Sequence, residues 1–286
     1  MNTLRVGFLL VALTALFVWV GGLIGGQTGV VIAFGLAVAM NLGSYWFSDT
    51  LVVKMTGAQP VAPGSAPRLE AMIERLSDKA GIPTPALYVV PDPQPNAFAT
   101  GRNPERAVVA VNQGLLDMLD EHEIEAVVAH ELGHVKHRDT LTMAIVATLA
   151  GAIMTLASIA RWGMIFGGGG RSDDNGGALG MLVAMLVAPL AAVLIQTGIS
   201  RAREFEADRA AAELTGSPDG LISALRKLER GVEMVPQTVA TPSTAHLRIV
   251  NPLRGGGARA AFGGLFRTHP PTEKRIEALM ALEGRV

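Results

Sequence analysis

No cysteine occurs anywhere in this 286-residue chain. Disulfide bridges are therefore excluded, and so is any metal site built on thiolates. A zinc ion would have to be bound by imidazole and carboxylate, a donor set typical of sites that keep one position open to water. Charge is scarce as well: Asp, Glu, Lys and Arg make up 17% of the residues and nearly cancel, for a net charge of −1. There is no basic run, so no nucleic-acid partner is expected. There is no GxxxxGK[ST] sequence to cradle a nucleotide, so no use of ATP is expected. Aromatic residues reach only 5%, with two tyrosines in all.

Apolar residues fill the space that charge leaves. The hydrophobic share is 49% and the mean hydropathy +0.36, too apolar for an ordinary soluble domain. Four runs account for it, at 6–24, 28–47, 141–160 and 179–199. Each is close to the ~20 residues that a helix needs to cross ~30 Å of hydrocarbon. Trp19, Trp46 and Trp162 fall at or near run ends, where interfacial anchors belong. A buried helical hairpin competes for the last two runs, because Pro189 and Gln196 weaken the fourth. No A-x-A site closes the first run, so the reading is of uncleaved anchors. Lys54, Lys136, Arg138, Arg201, Arg203 and Arg209 lie near run ends on one shared side. By the positive-inside rule, that side and both termini face the cytoplasm.

The expected organisation follows from these runs: a transmembrane hairpin over 1–48, a first cytoplasmic part over 49–140, a second hairpin over 141–199 with a Gly-rich loop at 161–178, and a second cytoplasmic part over 200–286. Within the first part, residues 66–81 carry Leu69, Met72, Ile73 and Leu76 at helical spacing. Ala86 to Val90 and Ala107 to Val111 are short and rich in Val, so both read as strands, paired or in a meander. Pro95 to Gly101 lies between them, extended and small-residue rich.

His130-Glu131-Leu132-Gly133-His134 carries the chemistry. On a helix, two residues four apart lie ~40° apart, one turn along the same face. Two imidazoles so placed can hold one Zn²⁺, and Glu131 can reach a water on it. With no Gly or Pro from Val135 to Ala150, this helix is expected to continue through Asp139 into the third run. Two imidazoles leave the site one protein ligand short, to be supplied by a later carboxylate or another His. Glu204 and Asp208 share one helical face in the segment from Ser200 to Asp208. Glu204 as ligand with Asp208 orienting an imidazole is one reading. A solvated acidic-basic face is the other.

Taken in order, the motif from His130 through Arg138-Asp139, the segment Ser200 to Asp208, the stretch Thr268 to Ile276 and the stretch Pro95 to Gly101 resemble the HtpX family of membrane-bound zinc metalloendopeptidases. These are gluzincins related to the CAAX prenyl protease. The resemblance covers essentially the whole chain. It implies one Zn²⁺ per chain on His130, His134 and Glu204, with Glu131 as general base. It implies a mostly α fold with a small β-sheet, an α+β zincin-like catalytic domain on four transmembrane helices. It also implies turnover of damaged or misfolded membrane proteins in a bacterial inner membrane, with polypeptide substrates and the lipid bilayer as partners.

Further roles follow from chemistry. His269, braced by Pro270-Pro271, is the candidate oxyanion donor. A plain turn before a C-terminal helix is the competing reading, and the resemblance favours the donor. Arg275 is expected to pair with a nearby carboxylate. Asn96, Ala97, Phe98 and Ala99 are the candidate substrate edge, holding an extended peptide by its main chain. His122 and His246 read as exposed, and His137 as lying on the surface or behind a ligand, with an approach to the site face as the competing reading. The alternative from a different functional class is a membrane-anchored protein whose zinc is structural and whose role is binding or scaffolding.

Overall fold

The computed structural model describes residues 2–145, 201–234 and 270–285. The expected second membrane hairpin lies outside these apart from residues 141–145, and so do His269 and His246. Among the described residues the chain is mostly helical with one small mixed sheet.

Helix α1 (Asn2–Trp46) is not a straight rod. The Asn41 side-chain amide donates to the Leu10 carbonyl at 3.2 Å and to Thr14 Oγ1 at 2.9 Å. In a straight helix, residues 31 apart would be separated by about 46 Å. The chain therefore reverses, and it does so at Gly26, whose φ of 54° is left-handed. Gly21 and Gly29 let the two arms touch, since a Cβ on either would strike the other's backbone. This is the hairpin expected from the first two apolar runs. One stretch among the described residues, Gly26–Gly43, is long and apolar enough to cross a membrane.

After α2 (Ser48–Thr56) come the shorter helices and the sheet. Helix α3 (Pro67–Ala80) starts with Pro67 in its first turn and stops at Gly81, whose φ is 70°. It buries Leu69, Met72, Ile73 and Leu76, the face expected from spacing. The sheet contains β1 (Gln59–Pro60), β2 (Ala86–Val90), β3 (Ala97–Thr100) and β4 (Val108–Asn112), in the order β1-β2-β4-β3. Both Val-rich runs are strands, and they form the expected pair, in parallel, rather than a meander. β4 inserts between β2, to which it is parallel, and β3, to which it is antiparallel. The small-residue stretch thus becomes the edge strand β3.

Short α4 (Gln113–Met118) leads into α5 (Glu121–Lys136), the central helix. It packs on α6 (Arg201–Thr215), α7 (Asp219–Met234), α3 and β3, with α8 (Thr272–Met280) against α6 and α7. The core between them is built from Ile73, Leu76, Val109, Val128, Leu132 and Leu225.

The expected continuation of α5 through Asp139 is corrected here. The Asp139 N–H donates to the His134 carbonyl and the Arg138 N–H to the Val135 carbonyl, with Arg138 at φ 58°. That pairing is a Schellman stop, normally marked by glycine. An arginine fills the left-handed position instead, so the stop carries no sequence signal. Helical structure resumes at 140–145, its first carbonyl bond being Met143 N–H to Asp139 O.

Candidate metal centre

Helix α5 is anchored at its start by a reciprocal cap. Asp120 Oδ1 accepts from the Glu123 N–H, and Glu123 Oε2 accepts from the Asp120 N–H, both at 3.0 Å. Glu123 is buried and also accepts from Ser223 Oγ and Lys227 Nζ, each at 2.6 Å, which pins α7 to the same end. Further along, Gly133 meets α6 so closely that a Cβ would lie 3.2 Å from Ala207 Cα and 3.2 Å from Ala210 Cβ. The small residues at this crossing are what let α6 deliver Glu204 to the histidine face.

His130, His134 and Glu204 come together, all buried, with one ligand atom from each lying within 4.8 Å of the others. Glu204 Oε2 is 3.8 Å from His130 Nε2, and its Oε1 is 3.6 Å from His134 Nε2. Metal–ligand bonds of ~2.0–2.2 Å place tetrahedral neighbours about 3.3–3.5 Å apart, so the two Glu204 contacts lie within about 0.5 Å of that spacing. The two rings stand at 87°, fanned around the shared point.

The other ring nitrogens are engaged. His130 Nδ1 is 3.0 Å from Asp208 Oδ1, and His134 Nδ1 is 3.4 Å from Asp139 Oδ2. With Nδ1–H turned to a carboxylate, each Nε2 presents a lone pair. Two lone pairs and a carboxylate then converge in a dry site, an arrangement that calls for a cation. The donor set fits a metal ion. The electrostatics carry the same message. Burial disfavours charge on His134, yet the hydrogen bond to Asp139 and the charges of Glu204 and Glu131 outweigh it, and the imidazole is pushed up to about 9. Among the described residues no fourth His, Asp or Glu joins the group.

Glu131 is buried beside the cluster, and its Oε2 accepts from the Ala99 N–H at 2.8 Å. Burial pushes its carboxyl above the ordinary range, with the His130 and His134 imidazoles pulling the other way. A carboxyl held up in this way suits a group that must take and return a proton.

Arg275 meets its expectation of a carboxylate partner. Its Nε donates to Asp208 Oδ2 at 2.8 Å and its Nη2 to Oδ1 at 2.5 Å, a two-pronged grip with both residues buried. Burial works against the Asp208 carboxylate, but the guanidinium overrides it and holds the group below its ordinary range.

Asn96, Ala97, Phe98 and Ala99 are all buried. Phe98 packs with Val52, Val90 and Ala144, while Ala97 and Ala99 face the main core. Their side chains are therefore occupied in packing on both faces, and only the main chain lies at the edge. Asn112 N–H donates to Asn96 O across the pair. By the two-residue period, Ala97 and Ala99 then turn their main-chain groups away from β4, and the Ala99 N–H reaches Glu131.

Two residues at the site were not anticipated from the sequence. Asp139 faces His134, and Arg203 Nη1 donates to Asp139 Oδ1 at 3.1 Å. Neither has helical spacing to the motif, because the turn at Arg138 sets their approach. His122 and His137 are exposed, as expected.

The model of peptidase family M48 matches residues 63–283. The chain is 50% identical over 281 residues to the protease HtpX homolog of Syntrophobacter fumaroxidans, covering 97% of this chain and 98% of that one. It is 50% identical over 282 residues to the protease HtpX homolog of Pyrococcus abyssi, covering 98% and 96%. Among solved structures it resembles S. mikatae Ste24p, with a TM-score of 0.51 and 20% identity. That likeness covers 94% of this chain, which spans 61% of the other.

Proposed function

Because this chain belongs to peptidase family M48 and is a metalloprotease, we propose that it is a zinc-dependent endopeptidase of the bacterial inner membrane that cuts damaged or misfolded polypeptides, membrane proteins among them. The observation that carries the reading is the convergence of His130, His134 and Glu204, with the raised carboxyl of Glu131 alongside. One zinc ion held by the three supplies Lewis acidity toward a water and the scissile carbonyl.

The protein's own residues do the rest. Glu131 takes a proton from the attacking water and returns it to the leaving amine. His269, three residues before α8, donates to the developing oxyanion. The role is supported by α8, which brings Arg275 to 3.5 Å from His130 and 3.9 Å from Glu204. Within the Asn96–Ala99 edge, the main-chain groups of Ala97 and the Ala99 carbonyl, turned away from β4, pair with an extended substrate. Because that recognition uses backbone alone, it suits unfolded chains of many sequences.

Four membrane helices, in hairpins over 1–48 and 141–199, hold the cytoplasmic parts 49–140 and 200–286 at the bilayer. The Gly26–Gly43 span and the reversal at Gly26 support the first of these. The proposed activity involves no ATP and no nucleic acid. The structural-zinc reading is the weaker one, since three protein groups leave a position open and a base stands beside it.

Metal analysis with casein cleavage by purified variants tests the proposal. Glu131→Gln should keep the metal and lose cleavage, Glu204→Ala should lose both, and His269→Ala should lower turnover by about 10²-fold or more. Undiminished cleavage by Glu131→Gln would end the enzymatic assignment of that residue.

A further inference from the structure

We propose that Asp139 is a positioning residue of the metal site, aiming the His134 imidazole at the metal and tying α5 to α6 through Arg203. The inference rests on the metalloprotease reading above. It comes from a parallel between the two ligand histidines. His130 turns Nδ1 to Asp208, and Asp208 is gripped by Arg275. His134 turns Nδ1 to Asp139, and Asp139 Oδ1 accepts from Arg203. Each imidazole is thus backed by a carboxylate, and each carboxylate by a guanidinium, with all six side chains buried.

The two relays differ in what they connect. Asp208 and Arg275 bring in α8. Asp139 links the end of α5 to Arg203, the neighbour of Glu204 in the chain. It therefore touches one ligand directly and the segment that bears another. The Schellman stop exists at the position that makes this reach available: an α5 continuing past Lys136 would carry residue 139 ~140° around the axis from His134. The left-handed Arg138 turns the chain back so that Asp139 faces the ring of the residue whose carbonyl it also caps. The contact at 3.4 Å is longer than the ~2.9–3.0 Å of a typical N–H···O bond, so much of its effect is charge steering the Nδ1–H tautomer.

The test uses full-length protein in detergent. Zinc affinity of the metal-free protein is measured against a chromophoric chelator, and the visible bands of the Co²⁺ form are recorded. Asp139→Asn, which keeps size and one acceptor but drops the charge, should bind zinc about 10–100-fold more weakly and shift the Co²⁺ bands. Glu123→Gln, a buried change at the far end of α5, should lower the melting midpoint while leaving zinc affinity and the Co²⁺ spectrum as in the parent. If Asp139→Asn does not fold, Asp139→Glu is judged by the same two readouts. A parent protein that binds zinc and cleaves casein, with an Asp139 variant indistinguishable in affinity and spectrum, overturns this inference alone. A parent that binds no zinc overturns the reading beneath it as well.

Discussion

Asp208 shows how a residue behind a candidate ligand can set the terms for it. Its carboxylate is buried in the fork of Arg275 and held below its ordinary value of 3.8 despite the cost of burial. A carboxyl with a depressed folded value contributes stability above its unfolded value and loses it as pH falls through the folded one. In metal-free protein, the stability gap between the parent and Asp208→Asn should therefore be flat above about pH 5 and narrow on further acidification. Breaking such a buried pair costs about 3–5 kcal/mol. Denaturant melts from pH 6 to pH 3 measure the gap, and a gap that widens toward acid contradicts the pairing. Arg138 makes the opposite kind of demand, on backbone alone. A left-handed residue with a Cβ costs roughly 1–2 kcal/mol, which glycine avoids at some entropic expense. Arg138→Gly should thus be more stable than Arg138→Ala by about 1 kcal/mol. Inside a continuous helix the order would reverse, with Ala favoured by about 1 kcal/mol, so a single pair of melts decides between a stop and a through-helix.

Between elements, the crossing of α5 and α6 is where packing becomes coordination. Gly133→Ala adds a methyl against Ala207 and Ala210, with overpacking costs of about 1–3 kcal/mol set against about 1 kcal/mol gained in helix propensity. The packing term wins, and because Glu204 lies three residues before Ala207 on the same helix, the separation falls on the metal site too. Weaker zinc binding together with a lower melting midpoint is expected, and tighter packing with unchanged affinity would argue against this geometry. Much of this level was legible in advance. Helix α3 followed from spacing, and β2 and β4 from their valines. Glu204 was legible as a carboxylate on the right helical face, but spacing alone could not separate a ligand from a solvated pair. Other features left no local trace. The stop after α5 is made by a residue whose side chain disfavours it. The insertion of β4 between β2 and β3 depends on long-range pairing. Asp139 and Arg203 meet only because of that stop. The Asp120–Glu123 cap is local in sequence, while the grip of Ser223 and Lys227 on it depends on a contact 100 residues away.

On the scale of the whole molecule, the candidate site is assembled from distant parts: His130 and His134 from α5, Glu204 from α6, and a guanidinium from α8. The edge strand is tied to the hairpin as well, since Arg102, two residues past β3, places its guanidinium 4.7 Å from the ring of Trp46 at the end of α1. Beside that ring, Tyr45 and Phe47 are exposed, as aromatic residues at a membrane–water boundary would be. The proposed topology puts the reversal at Gly26 outside and the catalytic parts inside, and the lack of native cysteine makes it directly testable. Gln27 and Ser65 are both exposed, so a single cysteine at either is available to a reagent that can reach it. In spheroplasts, a membrane-impermeant maleimide should label Gln27→Cys, and it should label Ser65→Cys only after permeabilisation, with the parent protein as a blank. Ser65→Cys labelled in intact spheroplasts would place the metal centre on the outer face and remove the cytoplasmic quality-control role from the proposal.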